Sequence, residues 1–95
     1  RVLLVDCLTL WTGNLLAKGR TDEEVEARAR NLADRIVAAR GEIILVTNEV
    51  GGGIVPGNAL ARRFRDLAGL VNQHIAAACD RVVWMVAGIP VTIKG

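Results

Sequence analysis

Asp6 closes the apolar run Val2-Leu3-Leu4-Val5. An acidic residue at the end of a buried strand is the Walker B arrangement, whose carboxylate holds Mg²⁺, directly or through water, beside nucleotide phosphates. The structural alternative is a strand-end aspartate capping the helix that starts at Cys7 to Thr9. A second constellation is Thr47-Asn48-Glu49-Val50, followed by Gly51, Gly52 and Gly53. A polar triplet at a strand end, next to a glycine-rich loop, lets backbone approach a ligand closely. The alternative is a turn that needs positive φ. Three consecutive glycines exceed what a turn requires, and each costs unfolded-chain entropy, which favours the ligand reading. Arg62, Arg63 and Arg65 follow near a helix start, where they suit either a phosphate or a solvated face with Arg62 and Asp66 paired at i, i+4. His74 sits inside a long helical pattern with no Ser or Cys nucleophile at motif spacing, so it reads as structural or exposed. Cys7 and Cys79 read as small apolar groups, and Trp11 and Trp84 as core or subunit-contact residues.

These residues need elements to hold them. Residues 2–6 and 42–47 (EIILVT) form short apolar, β-branched runs, and 82–87 (VVWMVA) forms a third; each fits a strand buried on both faces. Residues 8–18 suit a short helix stopped at Gly19, although Thr12-Gly13-Asn14 interrupts the pattern. Thr21 with Glu24 is a capping box, and Val25, Ala29, Leu32, Ile36 and Val37 then recur at helical spacing up to Arg40-Gly41. Asn58 caps a long helix to about Cys79, with Leu60, Phe64, Leu67, Val71, Ile75 and Ala78 on its inner face. Gly88-Ile89-Pro90 turns the chain into a last alternating strand, 91–94, expected at a sheet edge. Strands alternating with helices predict a mostly parallel α/β sheet wound by right-handed crossovers. Ligands of such sheets bind at the carboxyl ends of the strands, where both Asp6 and Thr47-Asn48-Glu49 fall.

Composition narrows the classes. The chain has 95 residues, 52% of them apolar and 23% charged, so it is not a disordered tail. Twelve basic against ten acidic residues leave +2, too little for a nucleic-acid surface. The longest apolar runs fall far short of the roughly 20 residues of a membrane helix. Two cysteines imply no disulfide framework, which suits a cytoplasmic protein. No G-x-x-x-x-G-K-[ST] and no G-x-G-x-x-G is present, so the Walker B-like strand is half of a nucleotide site. The chain also opens at Arg1 inside a core strand, which fits part of a longer domain.

The segments LLVDCLTLWTGNLL and ILVTNEVGGGIVPGNALARRFRDLAGLVNQHIAAACDRVVWMVAGIPVTIKG resemble the C-terminal half of the bifunctional adenosylcobinamide kinase / adenosylcobinamide-phosphate guanylyltransferases. The TNEVG-to-VNQ stretch is the most specific part, and the helix at 21–40 the least. The resemblance implies a P-loop NTPase fold with a RecA-like sheet, residues 1–95 being the C-terminal part of a single domain with a short antiparallel edge strand. It implies an enzyme that phosphorylates the aminopropanol hydroxyl of adenosylcobinamide with ATP or GTP and Mg²⁺. The same enzyme then transfers GMP from GTP, through a guanylylated histidine, to give adenosylcobinamide-GDP.

Residue by residue, Asp6 matches the family's acidic Walker B position, a nucleotide- and Mg²⁺-site residue. Asn48 and Glu49 match the strand-end polar pair facing the nucleotide cleft, and Asn14 falls in a matching segment without an assigned role. The P-loop and the guanylylated histidine belong upstream of Asp6; His74 does not match that histidine. A homo-oligomer is implied, and neither nucleic acid nor membrane is expected as a partner. Two other classes stay open on the residues: a non-enzymatic α/β binding or assembly domain, and a receiver- or flavodoxin-like domain, which would cluster further acids near Asp6.

Overall fold

The computed structural model describes residues 1–49 and 57–95. Along the chain run β1 (Val2–Asp6), α1 (Leu8–Ala17), α2 (Asp22–Ala38), β2 (Glu42–Val46), α3 (Ala59–Ala78), β3 (Val82–Val86) and β4 (Ile89–Lys94). The order matches the sequence expectation, with ends shifted by one or two residues. The result is a mixed α/β arrangement containing a parallel strand pair.

Local chemistry sets the helix ends. The Thr21 hydroxyl accepts from the Glu24 N–H at 3.1 Å, and the Glu24 carboxylate accepts from the Thr21 N–H at 3.0 Å, completing the capping box of α2. Asn58 Oδ1 accepts from Leu60 and Ala61 at the start of α3. α1 ends at Gly19, whose φ of +76° lets Gly19 N–H reach the Leu16 carbonyl and Arg20 N–H reach that of Leu15. The Thr12-Gly13-Asn14 interruption does not break α1. Thr12 is fully buried and returns its hydroxyl to the Leu8 carbonyl at 3.0 Å. Gly13 faces Phe64 of α3, and Asn14 is exposed. At the C-terminus of α3, Lys94 reaches from β4 to donate to the carbonyls of Ala76 and Ala77, both at 3.1 Å, supplying a cation the helix's own last turn lacks.

Those groups titrate differently. Hydrogen bonds from the Thr21 backbone N–H, then from its hydroxyl, hold the Glu24 carboxyl below its ordinary value of 4.5, with Arg20 adding to the effect. The folded state therefore favours the ionised form. The cap contributes fully above the ordinary glutamate range and is lost as pH falls through the depressed pKa. Helical circular dichroism during melting should show α2 loosening at pH 3 relative to pH 6. Glu24→Gln should flatten that difference; an identical pH response in the two proteins would exclude this origin.

β1 and β2 pair in parallel, with Val5 opposite Leu45 and Asp6 opposite Val46. All three helices lie against one face of this pair. The core joins Leu8, Leu15, Val25, Ala29, Leu67, Val71 and Ile75, and Val5 and Leu45 pack onto it from the strands. The molecule is 18 Å in its thinnest direction, room for one helix layer on one sheet layer. The expectation of strands buried on both faces is therefore corrected: Val2, Leu4, Ile44 and Val46 lie exposed on the face away from the helices. Period-2 alternation gives each strand a second face, which the helices leave open; on the first they cover Val5 and Leu45 but not Leu3, which is exposed as well. Val37 of α2 and Leu60 of α3, both expected in the core, are 72% and 64% exposed. Ala78 is half-buried.

β3 and β4 form a separate antiparallel hairpin. Its turn is Ala87-Gly88, not Gly88-Ile89-Pro90: both residues have positive φ, 51° and 75°, as a two-residue type I′ turn requires. Pro90 lies within β4, opposite Met85. β3 was expected to be buried, but Trp84, Met85 and Val86 are exposed: among the described residues Val5 of β1 and Leu45 of β2 pack on the helical core, and no residue of the hairpin does. Left-handed backbone at Ala87 costs an L-residue about 1–2 kcal/mol, which asparagine tolerates better. Ala87→Asn should raise the urea midpoint by an amount corresponding to about 0.5–1 kcal/mol with the slope unchanged, and a lowered midpoint would contradict this.

Between β2 and β3 a groove of about 1140 Å³ opens, lined by Ile43, Leu45, Cys79, Arg81 and Val83 among others. Among the described residues, β2 pairs only with β1 and β3 only with β4. Burial pushes the Cys79 thiol up, with Lys94 opposing that shift and Asp80 adding to it, which suits a packing cysteine. Among the described residues no helix is long and apolar enough to cross a membrane.

Candidate functional site

The carboxyl ends of β1 and β2 come together, as the strand reading requires. Asp6 ends β1 on the face away from the helices, exposed, and no protein side chain partners its carboxylate among the described residues. The capping alternative fails. Cys7, not Asp6, is the N-cap of α1, and the cap has no side-chain hydrogen bond. Asp6 therefore stands beside the N-terminus of α1 without being consumed by it.

Next to Asp6, the segment that leaves β2 is tied by four hydrogen bonds. Asn48 N–H donates to Thr9 Oγ1 at 2.9 Å. Thr9 and Thr47 hydroxyls are 3.3 Å apart. The Thr47 hydroxyl donates to Asn72 Oδ1 at 2.7 Å, and Asn72 Nδ2 donates to the Asn48 carbonyl at 3.2 Å. Thr9 of α1 and Asn72 of α3 were not singled out from the sequence. Asn72 lies within the specific VNQ stretch, and Thr9 one turn from Thr12, but neither residue type announces such a role. Glu49 follows, exposed and engaged in contacts of its own. Gly51, Gly52 and Gly53 lie outside the described residues.

The other sequence candidates fall elsewhere. Arg63 pairs with Asp22 and donates to the Arg20 carbonyl at 2.8 Å, so it ties α3 to the start of α2. Arg62 donates to the Gly57 carbonyl at 2.7 Å. His74 Nε2 lies 3.3 Å from Glu26 Oε1, and Glu26 also pairs with Arg30, a structural bridge between α2 and α3. This agrees with the structural reading of His74.

Among the described residues, no group of three or more His, Cys, Asp or Glu side chains could hold a metal. A phosphate-bound Mg²⁺ takes one or two carboxylates and fills its octahedron with water and phosphate oxygens. An exposed, unpartnered carboxylate at a strand end meets that requirement; a closed cage of protein ligands is not needed.

An acid and a pinned polar segment lie at the carboxyl edge of parallel strands, beside a helix N-terminus, the place where ligands of open α/β sheets bind. The family can be stated more closely. The sequence model described as cobinamide kinase / cobinamide phosphate guanyltransferase matches residues 1–93, and the chain belongs to that family. It is 49% identical over 98 residues to the bifunctional adenosylcobalamin biosynthesis protein CobP of Pseudomonas aeruginosa, with all of this chain and 54% of the relative covered. The protein CobU of Salmonella typhimurium, of the same description, is 47% identical over 104 residues, covering 97% of this chain and 58% of the relative. Its Escherichia coli counterpart is 40% identical over 105 residues, with 98% and 58% covered. The chain thus spans a little over half the length of the curated relatives it matches.

Proposed function

We propose that residues 1–95 are the C-terminal part of a single P-loop NTPase-like domain with a RecA-like sheet. The whole enzyme would phosphorylate adenosylcobinamide and then, with GTP, convert the phosphate to adenosylcobinamide-GDP. The observation that carries this reading is the juxtaposition of an unconsumed Asp6 carboxylate with the pinned Asn48 at one strand edge, in a chain of this family. Asp6 would hold Mg²⁺, and Asn48 and Glu49 would line the nucleotide cleft. Held there, Mg²⁺ would supply neutralisation of the charge that develops during phosphoryl transfer. The chain's own contribution is to fix a negative charge where that ion sits and to hold polar groups beside it.

Three features support more polypeptide around this chain. Parallel sheets are covered on both faces, and here one face of β1 and β2 is open and apolar. The groove between β2 and β3 has an unpaired strand edge on each side among the described residues, the setting for one further strand. Trp84 and Ile89 on the hairpin are 53% and 65% exposed, which supports either that cover or contact in a homo-oligomer. A cytoplasmic location goes with this reading.

The test compares the longest reading frame containing this chain with residues 1–95 alone. Nucleoside triphosphate-dependent phosphorylation of adenosylcobinamide, and GMP transfer to the product, are followed by chromatography. The longer protein should perform both steps and the 95-residue chain neither. Turnover by the short chain, or none by the long one, would overturn the proposal.

A further inference from the structure

The four hydrogen bonds at the end of β2 run in a single direction. The Thr47 hydroxyl has one hydrogen, and it goes to Asn72 Oδ1. Thr47 Oγ1 is therefore the acceptor in its contact with Thr9, and the Thr9 hydroxyl is the donor. Thr9 Oγ1 in turn accepts from the Asn48 N–H. The Asn72 amide has one orientation as well. With its oxygen and nitrogen exchanged, Oδ1 would face the Asn48 carbonyl, acceptor against acceptor. The ring thus runs from Asn48 N–H through Thr9, Thr47 and Asn72 back to the Asn48 carbonyl. It closes on one residue and uses a side chain from α1, one from the end of β2 and one from α3.

Both backbone groups of Asn48 are consumed by this ring, while its side-chain amide has no partner among the described residues. A strand extension held only by β1 would have no reason to be fixed beyond Val46, where the pairing ends. The ring carries that fixation two residues further, to the point where the chain enters the Gly-rich segment. Preorganised donors and acceptors act on a ligand without the entropy of ordering them at binding.

We propose that Thr9 and Asn72 are positioning residues for nucleotide binding: by clamping the Asn48 backbone they aim its side-chain amide at the polar groups of a bound nucleotide. This inference rests on the proposed function, and it adds residues from two helices to a site read from strand ends.

The experiment uses the longest reading frame containing the chain, with GTP and ATP as probes. Thr9→Val keeps the shape of the side chain and removes the hydroxyl; Asn72→Asp turns the donor that closes the ring into an acceptor. Each should raise the nucleotide KM about tenfold, the effect of one lost hydrogen bond, with kcat within about threefold. Thr9→Ser retains the hydroxyl and should restore the wild-type KM. Asn48→Ala should raise KM similarly, and combining it with Thr9→Val should add little, because both act through one group. A KM unchanged in Thr9→Val, a failure of Thr9→Ser to restore it, or additive effects in the double variant would overturn the inference and leave the proposed function standing. An inactive wild-type protein would overturn the proposed function and this inference with it.

Discussion

Asp6→Asn in the longest reading frame containing the chain is expected to lower the proposed nucleotide-dependent phosphorylation of adenosylcobinamide by about 100-fold or more, the scale on which removing a preorganised charge partner acts. The substitution keeps the size of the side chain and removes its charge. Asp6 is exposed at the end of β1 and caps nothing, so the fold should not feel the change. The loss should therefore come without a shift in melting temperature, and it should be partly offset by raised Mg²⁺. A variant retaining activity within about threefold at limiting Mg²⁺ would remove Asp6 from the metal site, and a variant that melts early would show the carboxylate to be structural.

The second large effect concerns stability. Leu8 is 2% exposed, in the first turn of α1, and joins the core shared by the three helices. Leu8→Ala should cost about 3 kcal/mol, the removed transfer energy plus the cavity left behind. A domain of this size has a net stability of roughly 5–15 kcal/mol, so that is a substantial part of the whole. Val37→Ala is the contrast. Val37 is equally apolar and on a helix, but 72% exposed, and alanine is the better helix former. Its effect should stay within about 0.5 kcal/mol. Urea denaturation of both variants decides the matter; similar costs would mean that the exposed strand-and-helix face is covered in solution.

Much of the fold was legible because its signals are local. Thr21 and Glu24 stand three residues apart and satisfy each other's backbone, and Asn58 does the same for Leu60 and Ala61. Gly19 stops α1 because a left-handed residue is needed there. The placing of Asp6 and Asn48 at one edge was legible too, since parallel strands put their carboxyl ends together. Residue types also gave His74 a structural reading, and it lies against Glu26.

What the sequence by itself determined, then, is the order and type of the elements and the acid at the end of β1. Periodicity could show that Val37, Leu60 and the outer residues of β1 and β2 lie on apolar faces; it could not show which faces receive cover, because that depends on what packs across from them. The turn at Ala87-Gly88 escaped notice because alanine gives no warning of positive φ. The ring around Asn48 was decided by tertiary structure alone. Thr9 and Asn48 are 39 residues apart, Asn72 and Asn48 are 24 apart, and nothing in a threonine or an asparagine specifies its partner until the packing of three elements brings their polar groups within hydrogen-bonding distance.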